Sequence, residues 1–383
     1  DVNMFFDLGN QPLANSLLNS PNDREDAYPL SLGWCSNCNL VQLNYTVDPK
    51  KLFADYVWVT KTSETAHQFA RIFFNELVAR APQGKEGYVL EIASNDGTFL
   101  TPFLKSGYTI LGIDPARNIV EMAEKDGIPT RCIFWGEKEA RALAKEKGKA
   151  RIIFARNVLP HVANTIDFVQ GLAAIMDENS TLAIEVHYAK IILEELHYDS
   201  IYHEHLCYFT LKSLESLLNS SGLFVFDIMR SPISGGSIIV YVKKNKMKES
   251  DTLLDYRNAE KKDNTNVFAS WQEFAKRALS HRNQLIHIIN NVIKTNSSVV
   301  GYGASARSST LLNFCRINNS QLPVIADKNP LKQKKYTAGS HILIENPEEA
   351  MKRNPSHVFI LAWNFADEII EYLEKSFGFK NSY

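Results

Sequence analysis

No apolar run in this sequence approaches the ~20 residues that a membrane helix needs, so no membrane partner is expected. Charge of one sign is missing too: 42 Lys+Arg against 43 Asp+Glu leave a net charge of −1. That balance argues against a strongly basic nucleic-acid surface, so no nucleic-acid partner is expected. The opening residues, Asp1-Val-Asn-Met-Phe-Phe6, have no basic segment leading into an apolar one, so no secretory leader is expected there. They also lack an initiator Met, and further residues upstream are expected. Cysteine is scarce. The five, Cys35, Cys38, Cys132, Cys207 and Cys315, form an odd, scattered set that argues against a disulfide framework and for reduced thiols in a cytoplasm. What remains is a globular composition, 45% hydrophobic and 22% charged. At roughly 100–200 residues per domain, the length implies two or three domains.

Residues 1 to about 50 read as turn-rich, with Leu8-Gly-Asn-Gln-Pro12, Ser20-Pro-Asn-Asp23 and Tyr28-Pro-Leu30. Cys35-Ser-Asn-Cys38, placed between short strand-like runs, is half of a zinc knuckle. Tetrahedral zinc needs four ligands and no second pair is present, so zinc binding and a metal-free lobe with two free thiols are both open. An aromatic loop containing Tyr56 and Trp58 leads into a helix with Ala66, Phe69, Ala70, Phe73 and Leu77 on one face.

An α/β pattern begins at Tyr88. The run Tyr88-Val-Leu-Glu-Ile-Ala93 predicts a buried strand, Ser94-Asn-Asp-Gly97 a tight turn, and 98–105 the start of a helix. A second strand, 108–114, ends on Asp114; an acid about 20 residues after a glycine turn can accept hydrogen bonds from ribose hydroxyls. Further strands are expected around 131–134, over 151–155 leading into Asn157-Val-Leu-Pro-His161, and over 181–186. Two more, 223–226 and 237–242, are placed to pair antiparallel. Alternating strands and helices imply a parallel sheet covered on both faces, and the carboxyl ends of its strands line a ligand crevice. The Asn95 turn, Asp114, the 157–161 segment and Tyr202-His-Glu-His205 all follow such ends, so they are expected to converge on one site.

Residues 246 to about 295 read as a helical connector, with Trp271, Phe274, Ala278, Leu285 and Ile289 on one face. A second α/β unit follows. Gly301-Tyr-Gly303-Ala-Ser-Ala306 lies between a strand and a helix, and a later strand ends on Asp327, which satisfies a dinucleotide fingerprint. The same geometry binds any phosphate through helix N-terminal amides, and a simple packing turn also accounts for it.

Together these residues resemble the S-adenosylmethionine-dependent sugar C-methyltransferases that act on nucleotide-linked 4-keto-deoxyhexoses. Phe6-Asp-Leu-Gly-Asn-Gln-Pro-Leu-Ala-Asn15 with Cys35 and Cys38 looks like that family's zinc-binding lobe. Glu91-Ile-Ala-Ser-Asn-Asp-Gly97 and Gly112-Ile-Asp-Pro115 look like its methyl-donor site. Tyr202-His-Glu-His205 is similar to its catalytic stretch, and Gly301–Ala306 with Thr310-Leu-Leu-Asn313 resembles the opening of its C-terminal domain. The resemblance implies an α/β fold: a class I methyltransferase sheet, a smaller Rossmann-like C-terminal domain, and a small N-terminal zinc-binding-type lobe. The corresponding divisions are 1–80 for lobe and lid helix, 81–245 for the methyl-donor domain, 246–295 for the connector and 296–383 for the nucleotide-sugar domain. It implies His205 as general base, with Tyr202, Glu204, His161 and Tyr56 in the same active site. Glu91, Ala93, Ser94, Asn95, Gly97, Asp114, Pro115 and Asn157 would hold S-adenosylmethionine. Tyr302, Gly303, Ala304, Ser305, Arg307 and Asp327 would hold a nucleotide diphosphate sugar of thymidine type. Zinc would take Cys35 and Cys38. A monomer or small homo-oligomer is expected. Three departures stand out: the first pair of zinc cysteines is absent, Ala93 stands where glycine is usual, and Arg307 where lysine is frequent.

The chemistry is sound on its own terms. A carbon beside a ketone is a weak acid, and its deprotonation needs a positioned base and donors aimed at the developing enolate oxygen. Histidine suits the first role, tyrosine or a second histidine such as His161 the second, and Glu204 could orient an imidazole. Two other classes compete: an NAD(P)-dependent oxidoreductase of sugar nucleotides using Gly301–Ala306, and a zinc-lobe binding protein with a degenerate enzyme core.

Overall fold

A computed structural model describes residues 1–52, 60–62, 64–295 and 298–383. The N-terminal lobe is a meander of β1 (Val2–Pro12), β2 (Ala27–Cys35) and β3 (Val41–Leu43). These strands occupy much of the stretch that reads as turns in the sequence. The reason is local: the β1–β2 ladder slips register at Met4/Phe6 and again at Asp7/Asn10. Gly9 sits in the second slip at φ 78°. Each slip breaks the period-2 alternation by which a strand is recognised.

The central sheet starts with β4 (Val89–Ile92), whose four residues are all buried. It continues through β5 (Ile110–Asp114), β6 (Thr130–Cys132), β7 (Ile152–Arg156) and β8 (Thr181–His187). The chain then returns to the lobe: β9 (Cys207–Tyr208) pairs antiparallel with β3 as the lobe's fourth strand. β10 (Phe224–Ser231) and β11 (Ser237–Lys243) complete the central sheet, in the order β10-β11-β8-β7-β4-β5-β6. β11 runs antiparallel to both of its neighbours, as the hairpin expectation required. Burial on both faces explains the nearly continuous apolar runs of β4, β7 and β8. The helix before the sheet, Glu64–Arg80, buries Ala66, Phe69, Ala70, Phe73 and Leu77, the stripe its period marks.

Two helices, Asp251–Lys262 and Phe268–Lys294, fill the connector. The long one buries Trp271, Phe274, Ala278 and Ile289. Phe6 of β1 is wedged between Phe274 (5.8 Å between ring centroids) and Phe314 (5.6 Å), which ties lobe, connector and C-terminal unit together. That last unit is an all-parallel sheet, β14-β13-β12-β15, of β12 (Val299–Tyr302), β13 (Val324–Ala326), β14 (Leu343–Glu345) and β15 (His357–Ile360). Among the described residues no helix is long and apolar enough to cross a membrane.

Candidate active site

At the end of β4 the chain turns through two left-handed non-glycine residues, Ala93 (φ 57°) and Asn95 (φ 49°), and then Gly97 (φ 77°). The Ser94 N–H donates to the Ile113 carbonyl. A Cβ at Gly112 would fall 2.5 Å from Ser94 Oγ, so that glycine permits the approach. Asp114, at the end of β5, clamps the turn: its carboxylate accepts from Asn95 N at 3.0 Å and from Ala116 N, just past Pro115, at 2.9 Å. Burial raises its pKa, and the two amides work against that shift. Two amide bonds leave acceptor capacity on both oxygens. Glu91 is buried beneath the turn with Oε2 unpartnered, and burial holds its carboxyl well above the usual range. Thr60 N donates to Asn95 Oδ1 and Lys61 N to Asp96 Oδ2, so the short 3-10 turn Thr60–Thr62 is tied to this cluster. Tyr56 lies outside the described residues.

One strand along, Asn157 (φ 50°) leaves β7 and donates its N–H to the Glu185 carbonyl. It leads into the 3-10 turn Leu159–His161. Leu206 N donates to Pro160 O at 2.7 Å, and this bond draws the 202–205 stretch alongside. The His161 and His205 rings meet edge to face, centroids 4.9 Å apart. His205 is fixed twice, with Nδ1 3.0 Å from the Ser200 carbonyl and Nε2 2.8 Å from the Tyr202 hydroxyl. Burial, reinforced by His161 and His187, holds its pKa well below the ordinary imidazole value. Burial lowers His161 to about 4, against the pull of the Glu204 and Asn157 carbonyls.

Glu204 behaves differently from the expectation. Its backbone carbonyl, not its carboxylate, takes His161 Nδ1 at 2.7 Å. The carboxylate accepts instead from Asn15 Nδ2 of the lobe at 2.6 Å, and burial raises its pKa. A main-chain carbonyl orients each imidazole, so the ring position is set by backbone and not by a charged partner.

The C-terminal unit meets the same stretch from the other side. Thr310 Oγ1 donates to the Ile201 carbonyl at 2.7 Å. Tyr302 ends β12, and Gly303 follows at φ 97°, where a Cβ would lie 2.5 Å from Ala362 Cβ. Asp327, just past β13, accepts from Ala304 N at 2.8 Å, as Asp114 does from Asn95 in the first domain. Ser305 caps the helix Ala306–Cys315. From that helix's first turn Arg307 reaches into the methyltransferase-type domain. Its guanidinium lies 5.2 Å from the Trp363 ring, and a Cβ at Gly235 would sit 3.4 Å from its nitrogens.

Cys35 and Cys38 sit on a tight knuckle closed by Asn39 N donating to the Cys35 carbonyl, with Asn39 at φ 60°. Burial acts to raise the Cys35 thiol, yet the Cys38 and Asn37 amides hold it below its ordinary value. Burial, with Cys35 alongside, raises Cys38. Among the described residues no group of three or more His, Cys, Asp or Glu could hold a metal. The thiols present therefore supply two of the four ligands a structural zinc requires.

The chain is 31% identical over 374 residues to the C-methyltransferase NovU of Streptomyces niveus, covering 97% of this chain and 89% of the relative. It belongs to the C-methyltransferase family. Family models match in series along it: a zinc binding domain over residues 1–53, a methyltransferase domain over 64–227 and the C-methyltransferase C-terminal domain over 232–379. Solved structures overlay one part of the chain. The magnesium protoporphyrin IX methyltransferase of Synechocystis aligns at 16% identity and TM-score 0.39, over 53% of this chain and 100% of its own. A SAM-dependent methyltransferase from Anabaena variabilis aligns at 14% and 0.39, over 51% and 90%. The match to a C-methyltransferase along nearly the whole chain sets the oxidoreductase alternative aside.

Beside the candidate site stand residues that sequence reasoning missed. His187 ends β8, and its ring stacks toward His197 at 6.4 Å. His197 packs 4.4 Å from Trp363, whose Nε1 donates to Asp199 Oδ2 at 2.6 Å. His187 and Trp363 each lie at or just past a strand's carboxyl end, the signal that marks the other site residues. Asn15, far off in the lobe, carries no local signal for its contact with Glu204.

Proposed function

We propose that this C-methyltransferase moves a methyl group from S-adenosylmethionine to the carbon beside the ketone of a nucleotide-linked 4-keto-deoxysugar. The position is C3 and the carrier is a thymidine-type nucleotide diphosphate. The observation that carries the reading is His205, fixed by the Ser200 carbonyl and the Tyr202 hydroxyl, set against His161 and within the field of Arg307. S-adenosylmethionine, when bound, supplies an electrophilic methyl. The 93–97 turn, Asp114, Pro115 and Asn157, with Glu91 buried beside them, would hold it, and Asp114 would take the ribose hydroxyls.

On the acceptor side, Tyr302, Gly303, Ala304, Ser305, Arg307 and Asp327 hold the nucleotide diphosphate. His205 Nε2 removes the proton next to the ketone. The substrate displaces the Tyr202 hydroxyl from Nε2, and that hydroxyl then donates to the enolate oxygen, supported by His161. Glu204, held by Asn15, keeps its backbone carbonyl on His161. Tyr56 is assigned to the same site, and zinc, where bound, to Cys35 and Cys38 with ligands from outside the described residues.

The test is methyl transfer from labelled S-adenosylmethionine to a thymidine diphosphate 4-keto-6-deoxyhexose, preceded by titrations with S-adenosylhomocysteine and thymidine diphosphate. Binding of both ligands and label at C3 is the expected result. Label on oxygen or nitrogen, or no binding of the nucleotide, would overturn the acceptor assignment.

A further inference from the structure

Between the ends of β8 and β15, a group of buried polar atoms has no partner. His187 is 7% exposed, and neither ring nitrogen makes a hydrogen bond. His197, 5% exposed, bonds Glu195 through Nε2 at 3.0 Å and has no partner for Nδ1. Ser200 Oγ, fully buried, has none either. Buried polar atoms are nearly always satisfied, so a cluster of orphans on one wall marks the seat of a ligand.

The charges around this wall identify that ligand. The Arg307 guanidinium lies 5.2 Å from the Trp363 ring, which packs 4.4 Å from His197, so it borders this group, and its charge helps to lower both His187 and His197. The carboxylates nearby are already engaged. Asp199 accepts from Trp363, Glu195 accepts from His197, and Glu185, two residues before His187 on β8, is bound by Arg156 and Ser231. One guanidinium opposed by Asp199 does not balance a group with two negative charges. Two imidazoles whose rings are 6.4 Å apart can supply the difference, since each gains a charge and a second N–H donor on protonation.

Resting on the diphosphate-linked acceptor proposed above, we infer that His187 and His197 join Arg307 as a proton-loading seat for the acceptor's diphosphate, so that acceptor binding takes protons from solvent. In the ligand-free protein, burial and the Arg307 charge keep both imidazoles neutral, with His187 well below its ordinary value and His197 at about 4. An entering dianion reverses the sign of the local field, and each ring then favours its charged form. The proton comes from bulk water at the ring nitrogen, and no covalent bond is made or broken.

The experiment is calorimetric titration of the full chain with thymidine diphosphate glucose, whose diphosphate diester does not itself titrate near neutrality. Repeating it in buffers of different ionisation enthalpy counts the protons. Uptake of about one proton per ligand at pH 7 is expected, with affinity falling about a hundredfold from pH 6 to pH 8, roughly tenfold per pH unit for each proton taken up. His187→Asn and His197→Asn should each lower the uptake and flatten that pH dependence, while S-adenosylhomocysteine affinity confirms that the variants are folded. Binding without proton uptake, or variants that keep the wild-type uptake, would overturn the inference and leave the acceptor reading standing. Failure of the wild-type chain to bind the sugar nucleotide while binding S-adenosylhomocysteine would overturn both.

Discussion

The Tyr202 hydroxyl lies 2.8 Å from His205 Nε2 while the Ser200 carbonyl lies 3.0 Å from Nδ1 of the same ring. A carbonyl can only accept, so Nδ1 carries the proton and Nε2 offers the lone pair into which Tyr202 donates. The backbone has thus chosen the tautomer a general base needs. Replacing Tyr202 by Phe removes one donor and leaves the tautomer in place. We expect kcat to fall by about 10²–10³-fold, the usual cost of losing an enolate or oxyanion donor. His205→Gln should go further and abolish measurable transfer. Both variants should bind S-adenosylhomocysteine like the parent, and a loss of that affinity would place His205 in the donor site instead.

Ala93 occupies a left-handed conformation, φ 57°, at the carboxyl end of β4. An L side chain in that region costs roughly 1–2 kcal/mol relative to glycine, part of which glycine returns through the greater freedom of its unfolded chain. Ala93→Gly is therefore expected to stabilise the protein by about 0.5–1 kcal/mol. Denaturant unfolding of the two proteins decides it, and a destabilised variant would show that the Ala93 methyl earns more in packing than its backbone strain costs.

Much of this site could be read from the sequence because it follows one rule, that strand carboxyl ends line the crevice. The Asn95 turn, Asp114, Asn157 and His161 obey it, whereas the 202–205 stretch comes only after the helix Ala189–Glu195 that follows β8 and is drawn alongside by the Leu206 to Pro160 bond. The contacts that could not be read are those made across long separations by short elements. β9 is two residues long, and nothing in Cys207-Tyr208 announces a strand that completes a sheet begun 200 residues earlier. Arg307 reads as a phosphate ligand of its own domain, whereas its placement beside Gly235 depends on how two domains dock. Glu204 reads as the partner of an imidazole, yet Asn15 claims its carboxylate. Pattern fixes which side chains stand at a strand end; docking fixes which of them meet.

Asp114 braces its own turn while offering the remaining lone pairs to a ligand. Asp114→Asn keeps one carbonyl oxygen to accept from Asn95 or Ala116, loses the charge, and turns one acceptor into a donor. Donor affinity should fall by about tenfold or more, since a hydrogen bond to a charged group is worth about 1.5–3 kcal/mol. The acceptor's KM should stay near the parent's. Titration with S-adenosylhomocysteine reads the first quantity and steady-state kinetics the second; an unchanged donor affinity would remove Asp114 from the donor site.

His161 gives a pH-dependent prediction whose sign follows from the direction of its shift. The folded value, about 4, lies below the unfolded value of about 6.5. Between these limits the unfolded chain binds a proton that the native chain does not, so stability is lost as pH falls from 6.5 toward 4. Glu91, Glu204 and Asp114 are shifted upward by burial and oppose that trend at the acid end. The comparison with His161→Gln isolates the histidine. The variant should lose less stability than the parent between pH 7 and pH 5, measured by denaturant midpoints at each pH. Parallel curves for the two proteins would mean that His161 is protonated in the native state.

Arg307 stands where a lysine would supply the same charge, and the geometry says why the two differ. The guanidinium lies 5.2 Å from the Trp363 ring, and Trp363 is itself tied to Asp199 by its indole N–H. A planar cation can rest against that ring and still present two parallel N–H donors to a phosphoryl group, which an ammonium cannot. Arg307→Lys should therefore raise the KM for the sugar nucleotide by about tenfold while kcat falls less than threefold, because the lost contact is made equally in ground and transition states. Arg307→Met, which removes the charge as well, should raise KM further. The donor's KM serves as the internal control. If kcat fell and KM held, Arg307 would be acting on the reacting carbon through His205, whose field it shares, and the diphosphate would have to be seated elsewhere.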